Sequence, residues 1–282
     1  MRTRSEARRG LVIYFVVLLA FSAALEGWII AHGGLGGPMG WLVLPLMYVP
    51  TLASLVARVA GREGFGDVSF KWGGRTGTRA VLTAWLLPVM VGLVAYGLAW
   101  STGLADFAAP AKGALPNITN PIVRFIALIP FALTLGTLQS CISAFGEEVG
   151  WRGYMVPRLV EAEVRSPDVV SGMIWCAWHI PLILWGGYAV SAYPLLSAIL
   201  FVLTILPVAL LYFRWRMASG TVWPAVIAHG AWNVVIQGVF DPFTHGASAA
   251  IWTGESGVLT ASTMWVAFLM LRRARWAGTI AG

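Results

Sequence analysis

Residues 193–213 read YPLLSAILFVLTILPVALLYF, 21 consecutive positions without an Asp, Glu, Lys, Arg or His. At a rise of about 1.5 Å per residue, a helix of that length spans roughly 30 Å, the thickness of a bilayer's hydrocarbon core. In water such a run would have to be covered by protein on every side. In lipid it needs no cover. Comparable apolar segments recur at 11–31, 41–60, 80–101, 131–157, 169–187, 221–240 and 250–271. Together they predict an all-α polytopic bundle of about eight transmembrane helices, built as a single integral membrane domain over residues 1–282. The stretch 117–130, with Pro121 and Pro130, reads as a loop or a short surface helix.

The rest of the composition agrees. Of the 282 residues, 58% are hydrophobic and 11% charged, with a mean hydropathy of +0.76. A soluble domain carries roughly 25% charged residues. So few charges cannot cover a water-facing surface around so much apolar side chain. Several of the 15 Trp stand near the ends of apolar runs, where amphipathic rings sit among headgroups. Cys141 and Cys176 fall inside apolar stretches, with neither disulfide nor metal-binding spacing.

A net charge of +7 would point a soluble protein toward nucleic acid; here the location of the charge points to anionic lipid, and no nucleic-acid partner is expected. Arg2, Arg4, Arg8 and Arg9 precede the first span, and Arg58, Arg62, Lys71, Arg75 and Arg79 surround the second loop. Arg152, Arg158 and Arg165 close the fourth span, Arg214 and Arg216 the sixth, and Arg272, Arg273 and Arg275 the eighth. Only Lys112 and Arg124 of the 19 basic residues fall on the other side. The positive-inside rule therefore predicts a multi-pass protein of the cell membrane with both termini cytoplasmic. Small residues at 22–24 resemble a signal-peptidase site, but the apolar stretch exceeds a signal core, so a retained helix is expected.

Ionisable groups inside a span are expensive and call for an explanation. Glu147, Glu148 and Arg152 fall in the fourth span, His179 in the fifth, and His229 with Asn233 in the seventh, while Glu26 lies near the outer end of the first. Counted from the cytoplasmic ends, Glu147, His179 and His229 lie about 16, 15 and 12 Å deep. Three helices thus bring polar groups to one level, with an expected opening toward the cytoplasm. Glu148 and Arg152, spaced i and i+4, can pair on one helix face, leaving Glu147 turned about 100° away and free for chemistry. Gly146, Gly150 and Gly153 thin the helix around them. A carboxylate, two imidazoles and an amide away from bulk water suit amide hydrolysis, with Glu147 as base. Glu147, His179 and His229 could instead ligate a divalent metal such as zinc.

These residues form recognisable motifs. Glu147-Glu148-Val149-Gly150-Trp151-Arg152-Gly153 matches E-E-x-x-x-R-G, Trp175-Cys176-Ala177-Trp178-His179 is similar to F-x-x-x-H, and His229-Gly230-Ala231-Trp232-Asn233 matches H-x-x-x-N. In this order, over a core of 145–233, they resemble the CAAX-protease and bacteriocin-processing (CPBP, or Abi) family of intramembrane proteases. The resemblance implies a glutamate-dependent membrane endopeptidase, often labelled a metalloprotease, with a site opening to the cytoplasm and the bilayer. Glu147 and His179 would activate water, and His229 and Asn233 would form the oxyanion site or contribute to a metal site. Glu148 and Arg152 would support the helix. The one departure is Trp175 in place of Phe. The implied substrate is a membrane-associated peptide or protein, prenylated or bacteriocin- or pheromone-like. A proton-coupled transporter and a non-catalytic immunity or scaffold protein are the competing readings.

Overall fold

The computed structural model describes residues 2–189 and 191–274; Arg275, counted above among the cytoplasmic charges, lies outside them. The chain runs through α1 (Arg4–Ala31), α2 (Val43–Ala60), α3 (Gly74–Thr102), α4 (Pro121–Glu161), α5 (Pro167–Gly186), α6 (Pro194–Ser219), α7 (Trp223–Trp232, continued by Asn233–Phe240) and α8 (Val258–Leu271). Helix starts are written locally. Thr3 and Glu6 form a capping box at α1. The Asn120 side chain accepts from the N–H groups of Ile122 and Val123, with Pro121 in the first turn of α4, where its missing N–H costs nothing.

The surface of α1 inverts that of a soluble helix. Val12, Val16 and Leu19 are more than 60% exposed while Tyr14 and Leu18 are buried. Apolar side chains on the outside and packing on the inside suit lipid as the solvent.

The segment 117–130 departs from expectation. Residues 121–131 are helical and run unbroken into the rest of α4, giving 41 continuous residues, about twice the length a bilayer core requires. Pro130 does not stop the helix because the backbone widens after it into a π-type turn at Ala132–Gly136. Side chains take up the backbone carbonyls there. Thr134 donates to the Pro130 carbonyl at 2.8 Å, Thr137 to Ala132 at 2.7 Å, and the Trp85 indole to Leu133 at 2.7 Å.

Among the described residues six helices are long and apolar enough to cross a membrane. The predicted seventh and eighth spans fall short for different reasons. Residues 223–240 are diluted by His229, Asn233 and Gln237, and much of this helix is buried against protein rather than lipid. α8 is helical over only 14 residues.

α1 packs on α2, α2 on α4, α4 on α7 and α7 on α3, while α6 joins α5 to α8. The thin face of α4 makes its contact with α2. A Cβ at Gly150 would lie 2.3 Å from the Pro50 carbonyl carbon, and one at Gly146 2.6 Å from the Tyr48 ring. At the basic end of the bundle Arg158 pairs with Glu63, Asp67 and Glu161 at 2.6, 2.5 and 2.9 Å, and Arg58 reaches Asp67 at 2.6 Å. At the opposite end β1 (Asp106–Phe107) pairs antiparallel with β2 (Thr244–His245). There Arg124, one of the two basic residues on that side, is buried and bonded to the carbonyls of Ala114 and Pro110, both at 2.9 Å.

Candidate active site

The motif residues meet where α4, α5 and α7 face one another beside α6. Widened turns recur in all three helices. Trp151–Met155, Leu182–Gly186 and Asn233–Phe240 are π-helical; the first and last contain motif residues, and the second begins three residues after His179. Such turns rotate the residues that follow them and are common at functional sites.

Glu148 and Arg152 form the expected i,i+4 ion pair at 3.0 Å, with side chains 0% and 2% exposed. The same Glu148 oxygen, Oε1, lies 3.0 Å from His229 Nδ1. Against an ionised carboxylate that nitrogen donates, which leaves Nε2 as the acceptor. His179 is fixed likewise: its Nδ1 lies 2.8 Å from the Trp175 carbonyl and donates to it. Both imidazoles therefore hold Nδ1 against protein and keep Nε2 for other work.

Glu147 is 1% exposed, and its Oε2 accepts two indole N–H bonds, from Trp175 at 2.9 Å and Trp151 at 3.2 Å. Trp175 is the hub of the site. Its ring lies 5.7 Å from His179 and 5.4 Å from His229, and the Arg152 guanidinium sits 4.4 Å above it. Arg152 also faces Tyr212 at 4.9 Å.

His179, His229 and Asn233 line one small chamber with Trp175, Tyr188 and Glu255. Its free volume, about 10 Å³, is on the scale that admits a single water. Glu147 is not on this wall but adjoins it through the bond it accepts from Trp175, which lines it. A carboxylate the motif reading missed, Glu255, is on it. Glu255 is 6% exposed, accepts from Trp232 Nε1 at 2.7 Å, and is bonded by the Tyr188 hydroxyl. The signal was present, since residue 255 falls within the predicted eighth span, where any ionisable group is costly. Trp151 was also findable, one helical turn beyond Glu147. Glu26 is buried on α1 and takes no part in the chamber.

Among the described residues no three His, Cys, Asp or Glu side chains gather as a metal ion would need. Glu147, His179 and His229 are thus not gathered as a ligand cluster in this structure.

Residues 122–235 match the model of a family described as Rce1-like, type II CAAX prenyl endopeptidase, a range that contains all three motifs. No curated protein and no solved structure matches the chain.

Proposed function

We propose, from the match of residues 122–235 to the Rce1-like family, that this chain is a glutamate-dependent intramembrane endopeptidase acting on a membrane-associated peptide or protein. Peptidase activity in general follows from the family; the catalytic roles and the substrate are the proposal. The observation that carries it is the site's division of labour. Glu148 holds His229, the Trp175 carbonyl holds His179, and Glu147 stays buried with no cation among the described residues bonded to its carboxylate.

In this reading Glu147 takes a proton from a water aligned by His179, and the water oxygen attacks the scissile carbonyl carbon. The Asn233 amide N–H stabilises the oxyanion that forms, joined by His229 when its Nε2 also carries a proton. Collapse of the tetrahedral intermediate breaks the C–N bond, and the proton held by Glu147 passes to the leaving amine. Sealing these groups from bulk water strengthens each electrostatic contact.

Purified protein and its Glu147→Gln variant are to be compared on quenched peptides, prenylated and unprenylated. Loss of a general base should lower turnover by about 10²- to 10⁴-fold. Equal cleavage by both proteins would remove Glu147 from this role. Flux that depends on Glu147 without product would instead favour the transporter reading, and in vivo function retained by Glu147→Gln the scaffold reading.

A divalent metal such as zinc is the second reading, because metal-ligating histidines commonly donate their other ring N–H to a carboxylate or carbonyl, as His229 and His179 do here. Activity lost to a chelator and restored by zinc would establish it.

A further inference from the structure

Cavities away from the chamber differ in the charge of their walls. One of about 570 Å³ lies at the end of the bundle opposite the basic loops and is lined by polar side chains such as Gln237, Asp241 and Thr244. At the basic end, a cavity of about 430 Å³ sets the carboxylates of Glu6, Asp67 and Glu161 against Arg2. Its neighbour, about 390 Å³, lies where the start of α1 meets the end of α2. There Arg2, Arg9 and Arg62 share the wall with Glu6 and Glu63.

Both carboxylates of that wall are engaged. Glu63 pairs with Arg158 at 2.6 Å and with Arg2 at 3.3 Å, and Glu6 accepts from the Thr3 N–H and hydroxyl, each at 2.9 Å. Arg9 and Arg62 are exposed, and neither side chain has a partner among the described residues. Two free guanidiniums beside one cavity suit a phosphate group, whose oxygens match their forked N–H donors. Arg62 keeps its place at a conformational cost. It follows Gly61, the C-cap of α2, with a φ of 52°, a left-handed conformation that glycine adopts freely and a side chain does not. The cavity also backs on the helix of the first motif. A Cβ at Gly10 would lie 2.5 Å from the hydroxyl of Tyr154, two residues after Arg152.

Below the arginines the surface turns apolar. Ile13 on the wall leads at helical spacing to exposed Val16 on α1, and Ala60 leads to exposed Val56 and Leu52 on α2. A basic cradle above an apolar strip fits a molecule with a phosphate at one end and hydrocarbon at the other. This is the side on which the positive-inside rule places the cytoplasmic leaflet, where anionic headgroups concentrate.

We propose that this cavity seats the phosphate of an anionic phospholipid, held by Arg9 and Arg62, with acyl chains along the strip formed by α1 and α2. The strip is the reason to choose a lipid over a soluble phosphate, which would leave it uncovered. The seat does not depend on the endopeptidase reading.

The test takes the purified full chain in an uncharged detergent and adds phosphatidylglycerol, phosphatidylcholine with the same acyl chains, or inorganic phosphate. Retained lipid is counted by native mass spectrometry, and the unfolding temperature is followed in parallel. Phosphatidylglycerol should stay bound and raise the unfolding temperature, with phosphatidylcholine clearly weaker. Arg9→Gln should weaken phosphatidylglycerol about fivefold, the usual contribution of one arginine near an anionic headgroup. Arg62→Gly should weaken it as much while leaving the lipid-free protein at least as stable as the parent, because glycine relieves the left-handed backbone. A merely structural Arg62 would instead lower the lipid-free unfolding temperature. Arg9, exposed on α1, carries the test alone should Arg62→Gly fail to fold. Arg75→Gln, exposed at the start of α3 and off this wall, is the control for diffuse attraction and should bind like the parent. Equal weakening by that control would overturn the seat, as would phosphatidylcholine binding as tightly as phosphatidylglycerol. Inorganic phosphate stabilising as well as the lipid would overturn the choice of a lipid.

Discussion

A phenylalanine at position 175 could not do what the tryptophan does there. Phe would keep the aromatic contacts to His179 and His229, but only an indole N–H can donate to Glu147 Oε2. The substitution that looked like a neutral exchange within the second motif thus supplies one of the two bonds that hold the candidate base. A hydrogen bond to a charged group contributes about 1.5–3 kcal/mol, which corresponds to roughly tenfold or more in rate if the bond aligns the base. Trp175→Phe is therefore expected to lower kcat by at least about tenfold, with KM little changed and thermal unfolding in detergent close to the parent's. An unchanged kcat would mean that Trp151 alone orients Glu147. The ion pair of Glu148 with Arg152 was readable from its i,i+4 spacing. The bond from the same carboxylate to His229, 81 residues away, was not, because it depends on how α4 meets α7.

At the scale of elements, close approach between α2 and α4 fixes where the carboxylates sit. Position 150 has no space for a methyl group, since the obstacle at 2.3 Å is Pro50 backbone, which cannot swing aside. Gly150→Ala should cost about 1–3 kcal/mol or more through overpacking, seen as a lower unfolding temperature and reduced monodispersity in size-exclusion chromatography. Gly97→Ala on α3, with nothing within 4 Å of the added atom, is the control and should be neutral or slightly stabilising. If Gly150→Ala behaved like that control, the contact would be looser than described. Apolar runs gave the elements, but proline gave a false stop at α4. Its effect depends on whether neighbouring side chains can satisfy the carbonyls it disturbs, and here Thr134, Thr137 and Trp85 carry out that role in and around the widened turn.

Across the whole molecule, basic charge gathers at one end and the large polar cavity opens at the other. The basic end is held by Asp67, in the loop between α2 and α3. Burial pushes its carboxyl up, but hydrogen bonds and charge from Arg58 and Arg158 outweigh that and hold it below its ordinary value. A carboxyl with a lowered folded pKa stabilises fully above its unfolded pKa, about 3.9, and loses that contribution as pH falls through the folded value. Asp67→Asn should lower the unfolding temperature at neutral pH and flatten the loss of stability between about pH 4 and 2. An acid limb identical to the parent's would assign that loss to other carboxylates.

The sequence by itself determined the solvent, the helices and the chemistry on offer. Apolar runs too long and too bare of charge for water demand lipid, and three motifs at a similar depth put a carboxylate, two imidazoles and an amide within reach of one another. Those inferences rest on periodicity and composition, which are local and survive without knowledge of packing. Only the tertiary structure decided that Glu147 is tied to two indoles and that Glu255 shares the chamber from 22 residues beyond the last motif residue. The physical reason is that hydrogen bonds and cavity walls belong to pairs of side chains brought together by helix packing, and no spacing along one helix records which residue of another it will meet.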